Sequence, residues 1–166
     1  AVRELRRSID PSVTIAVGAL GPRMSALGGE VGDAVLLNWI SPEGASVATG
    51  WVRDAATAAG RPCPRIAAYV RAALGDAARE RLRSESERYA AYPSYAAHFA
   101  RLETTAFATT ISALESAGVQ AGLDRYAGLF DDLVIRAITG EESLAAYRDV
   151  MNAGAPGRVE AGHAGA

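Results

Sequence analysis

Two apolar runs, Val13–Leu20 and Asp33–Ile40, flank a segment in which Met24, Leu27 and Val31 recur at helical spacing. Both runs are rich in Val, Ile and Leu with little polar alternation, the pattern of strands covered on both faces. Pro22 suits a first helical position, where its fixed φ fits and its missing N–H has no partner to lose. Gly32 is placed to supply a left-handed stop. The pattern predicts strand, helix, strand: one βαβ unit with a right-handed crossover. The Gly18–Pro22 turn then lies at the carboxyl end of its strand, where α/β folds place ligands.

The same rhythm continues along the chain. Ser41-Pro42-Glu43 reads as a helix start, with Val47, Trp51, Ala55 and Ala58 as one apolar face, Val52 widening it, and Gly60-Arg61-Pro62 as the end. Trp51 is expected to pack on the sheet. Arg65–Leu74 is an alanine-rich strand by its place in the order, and Asp76 is read as the cap of a mostly solvated helix. Arg71, near the end of that strand, would face a ligand or pair with an acid, and the pairing is the expectation. Phe107, Ile111 and Leu114 predict a helix ending at Gly118, and Leu123, Tyr126, Ala127 and Phe130 a short one. Asp132–Ile138 is a final strand. Thr139-Gly-Glu-Glu142 has the form of a capping box, so the last helix is expected from about Gly140, packing Leu144, Tyr147 and Met151.

Strands are therefore expected at about 14–20, 33–39, 65–73 and 132–138, each followed by helix. A closed eight-stranded α/β barrel takes about 250 residues, and this sequence has 166. It is read as the carboxyl-terminal part of something longer. Residues 1–10 are expected to end a preceding helix, 11–156 to form the domain, and 157–166 to be a disordered tail. Four parallel strands leave two open edges, so association with a second copy or with a missing half is expected.

All 17 basic residues are arginine and the formal net charge is −2, with both signs dispersed, so no stripe argues for nucleic acid or a membrane surface. No apolar run approaches a membrane span, and Cys63 is the single cysteine, which excludes a disulfide framework. A cytoplasmic protein without a metal site is the expectation. His98 has no second ligand at metal spacing and reads as a packed or surface histidine.

The chemistry open to the Gly18–Pro22 turn is anion binding, through the free N–H groups of Gly21, Arg23 and Met24 and the helix dipole. On residue types alone, two glycines that only make a tight βα turn fit equally well. Gly18-Ala-Leu-Gly-Pro-Arg-Met24, the Gly-Glu-Val-Gly-Asp that ends in Asp33 and the Val-Leu-Leu-Asn-Trp that ends in Trp39 resemble the second-half signature of the luciferase-like monooxygenase family. Family members often have glycine where Leu20 and Ala34 stand.

The resemblance implies a TIM-barrel fold of (β/α)8 type, of which this chain is the carboxyl-terminal half with an extra helical insertion. It implies an oxidoreductase using coenzyme F-420, with FMN as the alternative, acting on a small-molecule substrate. Gly18, Ala19, Leu20, Gly21 and Pro22 would make the first cofactor contact, and Asn38, Trp39 and Ser41 the second. The region from Tyr89 to Gly118 would form a helical layer over the barrel mouth. Tyr92, Tyr95 and Phe99 would then wall a substrate pocket, or else simply join short helices. Arg136 would face a cofactor phosphate or a carboxylated tail, or pair with Asp131, Asp132 or Glu142. Catalytic residues are left unassigned, since the family's proton-transfer groups lie on earlier strands, and this half alone is expected to bind without turnover. Two other readings stay open: a non-catalytic half-barrel binding module, and a barrel of another lineage gripping a sugar phosphate.

Overall fold

The structure, a computed structural model, describes residues 2–156. The expected tail 157–166 lies outside the described residues. A short helix α1 (Val2–Ser8) leads into β1 (Ala16–Ala19), α2 (Pro22–Val31), β2 (Ala34–Asn38), α3 (Ala45–Ala58) and β3 (Arg65–Leu74). Then come α4 (Asp76–Ala90), α5 (Pro93–Arg101), β4 (Ile111–Ala113), α6 (Ser116–Asp124), β5 (Asp132–Ile138) and α7 (Leu144–Gly154).

Every strand pairing is parallel. β1 pairs β2, β2 pairs β3, and β3 pairs β5 along Ala67–Ala73; the short β4 joins only the end of β3 at Ala72–Leu74. Four main strands in sequential order, with helices between them, make half of a (β/α)8 barrel. Among the described residues β1 and β5 each have one edge without a strand partner.

Alternation decides what each face meets. Val35, Leu37 and Ile66 point outward and are buried with Ala48 and Val52 of α3, while Val70 and Ala72 pack with Val119, Leu123 and Val150 of α6 and α7. Burying each large aliphatic side chain there contributes roughly 1.5–3 kcal/mol. Helix α2 lies very close to α3: a Cβ on Gly29 would sit 2.3 Å from the carbonyl oxygen of Val52. Tyr126 pins this layer from the side, its hydroxyl donating to the Ile40 carbonyl at 3.1 Å, and burial pushes its pKa up.

Several local expectations are corrected. Gly32 is not left-handed; its φ is −82°, and glycine is required because a Cβ would lie 2.8 Å from the Gly28 carbonyl oxygen. Met24 and Val47 are exposed, and the buried faces of their helices fall instead on Ser25, Gly28 and Gly29 and on Ala48, Val52 and Ala56. Helix α3 begins at Ala45, although Ser41 does cap the turn before it by accepting the Gly44 N–H at 3.2 Å. The predicted helix over 107–118 is instead a single 3-10 turn (Phe107–Thr109) followed by β4, because Ile111 and Ala113 alternate into the core in pairing with β3. Gly118 lies inside α6, the helix to which Leu123 also belongs, and no separate helix forms over 125–130. Asp76 does not cap α4; Gly75, at φ +87°, precedes it as the N-cap. The last helix starts at Leu144 under Ser143, whose Oγ accepts the Ala146 N–H at 3.2 Å, while Glu142 is drawn off to Arg81. Its Leu144, Tyr147 and Met151 face outward, and Val150 and Ala153 make the core contact.

Helix α4 is the largest departure. Ala78 and Leu82 pack on Ala73 and Ile138 at the carboxyl ends of β3 and β5, and Tyr89 reaches Trp39 just after β2. The helix thus crosses the mouth of the half-barrel, and Glu85 and Ser86, in a stretch read as solvated, are buried.

Candidate functional site at the barrel mouth

The carboxyl ends of β1, β2 and β3 open into a cavity of about 310 Å³ lined by Gly18, Ala19, Leu20, Leu36, Asn38, Tyr69 and Tyr95. Gly18 stands opposite Leu36 in the register, and Asn38 opposite Tyr69, so strand pairing itself brings these side chains together. A Cβ added at Gly18 would meet nothing within 4 Å. The glycine therefore leaves room for something other than protein.

Leu20 also borders a second hollow of about 540 Å³ over the amino end of α2, with Gly21, Pro22, Arg23, Met24, Ser94, Ala97, His98 and Arg101. Gly21 is the N-cap and offers no side chain to the first free N–H groups of the helix. Arg101 brings Nη1 to 3.4 Å from the position a Gly21 Cβ would take. Helix dipole, open N–H groups and guanidinium thus converge where an anionic group would be held.

Beneath the cavity lies a buried polar cluster. Arg71, only 4% exposed, donates from Nε to Glu85 Oε1 at 2.7 Å and from Nη1 to Asn38 Oδ1 at 2.9 Å. Arg136 Nη1 donates to the same Glu85 oxygen at 2.5 Å. Burial would raise the Glu85 pKa, but the hydrogen bonds from Arg71 and Arg136 outweigh it and hold the carboxyl below its ordinary value. The Arg71 guanidinium also stacks on Trp39, 3.6 Å from the ring centroid.

Trp39 is 1% exposed and takes a left-handed φ of 55°, which costs on the order of 1 kcal/mol for a residue with a side chain. Packing holds it there, with Tyr89, Phe99 and Tyr95 centroids at 5.0, 5.8 and 6.5 Å, and His98 Nε2 within 3.0 Å of its carbonyl oxygen. His98 is buried, and that burial lowers its pKa, so the ring is neutral and Nε2 donates.

The structure brings together Gly18, Ala19, Leu20, Asn38 and Tyr95 around the cavity and Gly21 and Pro22 around the adjoining hollow. Phe99 is buried behind them against Trp39, and Tyr92 is half exposed at the rim, its ring 6.3 Å from that of Tyr95. Ser41 is occupied with its own turn. Arg136 lies in a separate groove with Arg81, Arg88 and Thr139, and its acid is Glu85 rather than Asp131, Asp132 or Glu142. Sequence reasoning missed Leu36, Tyr69, Glu85 and Arg101. Period-2 counting from Gly18 and Asn38 along paired strands finds the first two, whereas Glu85 and Arg101 arrive from helices whose placement no local signal gives.

Among the described residues no three His, Cys, Asp or Glu side chains gather as a metal ion would need, and no helix is long and apolar enough to cross a membrane. No protein-family model matches the chain, and no curated protein matches it. Solved structures do. An F420-dependent secondary alcohol dehydrogenase, solved in complex with an F420-acetone adduct, aligns over 89% of this chain and 50% of its own, with TM-score 0.64 and 15% identity. The EDTA monooxygenase EmoA from Chelativorans sp. BNC1 aligns over 84% of this chain and 42% of its own, with TM-score 0.55 and 15% identity. The chain shares their fold. It spans half the length of the first or less than half of the second, in keeping with the half-barrel.

Proposed function

We propose that the chain is the cofactor-gripping half of a luciferase-like, flavin-type oxidoreductase. The observation that carries this reading is the adjacency, on either side of Leu20, of an uncharged cavity on the strand ends and an anion-favouring hollow at the α2 amino end. A flat ring would enter the first, with its chain leading to a phosphate in the second. Coenzyme F-420 is placed first and FMN second, because the Gly-Pro turn at Gly21-Pro22 resembles the deazaflavin-using branch of the family. When bound, such a cofactor supplies hydride transfer or oxygen activation. The chain's own residues hold and orient it: Gly18 gives it room, Tyr95 screens one side from water, and Arg101 with the open N–H groups of α2 neutralises the phosphate.

The test is equilibrium dialysis of the purified chain against F-420 and FMN, with Gly21→Asp as the variant. A Cβ at Gly21 meets only the flexible end of Arg101, and aspartate is a better N-cap than glycine, so the variant should fold with equal or slightly greater stability. Its carboxylate would pair with Arg101 and repel a phosphate, weakening binding at least about tenfold. Retention of F-420 with loss in the variant supports the deazaflavin reading, and retention of FMN alone moves the reaction class towards flavin-dependent oxygenation. Retention of neither removes the proposal and leaves a binding module.

A further inference from the structure

We infer that Asn38 turns its NH2 donors to the cavity, which therefore takes a heteroaromatic ring by an edge of acceptor atoms that gains negative charge on reduction. The inference rests on the cofactor reading above and narrows what the cavity accepts.

Asn38 lines the cavity with an amide that has one oxygen and one NH2 group. The oxygen is turned to Arg71, whose Nη1 donates to it at 2.9 Å. Turning the amide over would set its NH2 against the guanidinium N–H, donor against donor. Arg71 itself is fixed by Glu85 at 2.7 Å and by the face of Trp39 at 3.6 Å, so it cannot swing away to permit the turn. With the oxygen held on Arg71, the NH2 group is the end of the amide directed away from it and towards a ligand. A carbonyl oxygen or an unprotonated ring nitrogen satisfies it, whereas a donor there would leave two buried donors facing each other.

Charge adds to the selection. Every residue lining the cavity is uncharged. Behind Asn38, Glu85 carries one negative charge between the two guanidiniums of Arg71 and Arg136, leaving the cluster with one excess positive charge. Arg71, only 4% exposed, is the member of the cluster that touches Asn38 and its charge is little screened by solvent, whereas Arg136, 39% exposed on the far side of Glu85, is partly screened. A pyrimidinedione edge, carbonyl beside ring nitrogen, has the required acceptors, and in a reduced flavin anion the added negative charge resides on that edge. Arg71 thus acts as a positioning residue through Asn38, and its field favours the reduced ligand over the oxidised one.

The experiment measures dissociation constants of oxidised F-420, oxidised FMN and, under anaerobic conditions, dithionite-reduced FMN for the parent chain and for Asn38→Asp. The substitution is isosteric, keeps an oxygen on Arg71 and offsets the excess positive charge, so an unchanged circular dichroism spectrum and melting temperature are expected. An acceptor now faces an acceptor, and binding of whichever oxidised cofactor the parent holds should weaken about 10- to 100-fold. The loss should be greater again for reduced FMN. Affinity within about twofold of the parent, or the same loss for oxidised and reduced FMN, overturns the inference while leaving the cofactor reading intact. If the parent binds none of the three, the cofactor reading fails, and hydrogen exchange of the 15N-labelled Asn38 side-chain amide decides the remainder. Rapid exchange with water supports donors directed into an open cavity, and slow exchange overturns it.

Discussion

On its outer face the sheet presents Val35, Leu37, Ile66 and Val70 to a layer of helices, while the inner face of the same strands carries Asn38, Tyr69 and Arg71 beneath α4 and α5. Outside, many interchangeable apolar contacts share the stabilisation, and no single atom has a unique partner. Inside, polar groups depend on named partners: Arg71 on Glu85, Asn38 on Arg71, the Trp39 carbonyl on His98. Loss outside should therefore be graded and indifferent to ligand, and loss inside abrupt and tied to the site.

Replacing Glu85 by Ala should have the largest effect. It strands the Arg71 guanidinium in the interior, at a cost of about 3–5 kcal/mol in urea denaturation, whereas Glu85→Gln, which keeps an acceptor, should lose clearly less. A loss below about 1 kcal/mol for the alanine variant would erase the contrast between the faces. Next comes Val35→Ala on the outer face, fully buried in the parent, with an expected loss of about 1–3 kcal/mol and an unchanged affinity for whichever cofactor the chain retains.

A smaller effect follows from His98. Burial depresses its pKa in the fold, so the unfolded chain binds the proton more readily, and stability should fall as pH drops below about 6.5 towards the folded pKa. His98→Gln retains a donor for the Trp39 carbonyl and should flatten the difference in stability between about pH 7.5 and pH 5.5. Glu85 acts lower down. Its depressed pKa means that its contribution is present above the unfolded value, about 4.3, and is lost only as pH falls through the folded value. Met151→Ser should do least, within about 0.5 kcal/mol, because that side chain is 70% exposed although its spacing marks it as apolar core.

The same division explains what was legible in the sequence. The β1–α2–β2 unit, β3 and β5 lie near their expected positions because burial beneath helices writes itself as Val, Ile and Leu runs between Gly and Pro. The α/β half-barrel was legible for that reason. The three-residue β4 was not, since Ile111 and Ala113 fit a helical period equally well until pairing with β3 chooses alternation. Nor was the route of α4 over the mouth, because a helix dense in Arg and Glu looks solvated unless one carboxylate finds a buried guanidinium, Arg71, and a half-exposed one, Arg136. At the site, the Gly18–Pro22 turn and Asn38 are local features, but Arg101 meets Gly21 across 80 positions of sequence, and no spacing encodes that contact.

Strict alternation along β1, β2 and β3 has a consequence for redesign. Gly18, Leu36, Asn38 and Tyr69 form an adjoining patch on one face, and their immediate neighbours Val17, Val35, Leu37, Ala68 and Val70 hold the other. Gly18, Leu36 and Tyr69 can be recut for a differently shaped guest as a block of three positions, with Asn38 kept as the partner of Arg71 and no residue that fastens the helices to the sheet altered. Specificity and foldability are thus carried by separate letters of the same strands, and a library confined to those three positions should retain folded members at high frequency.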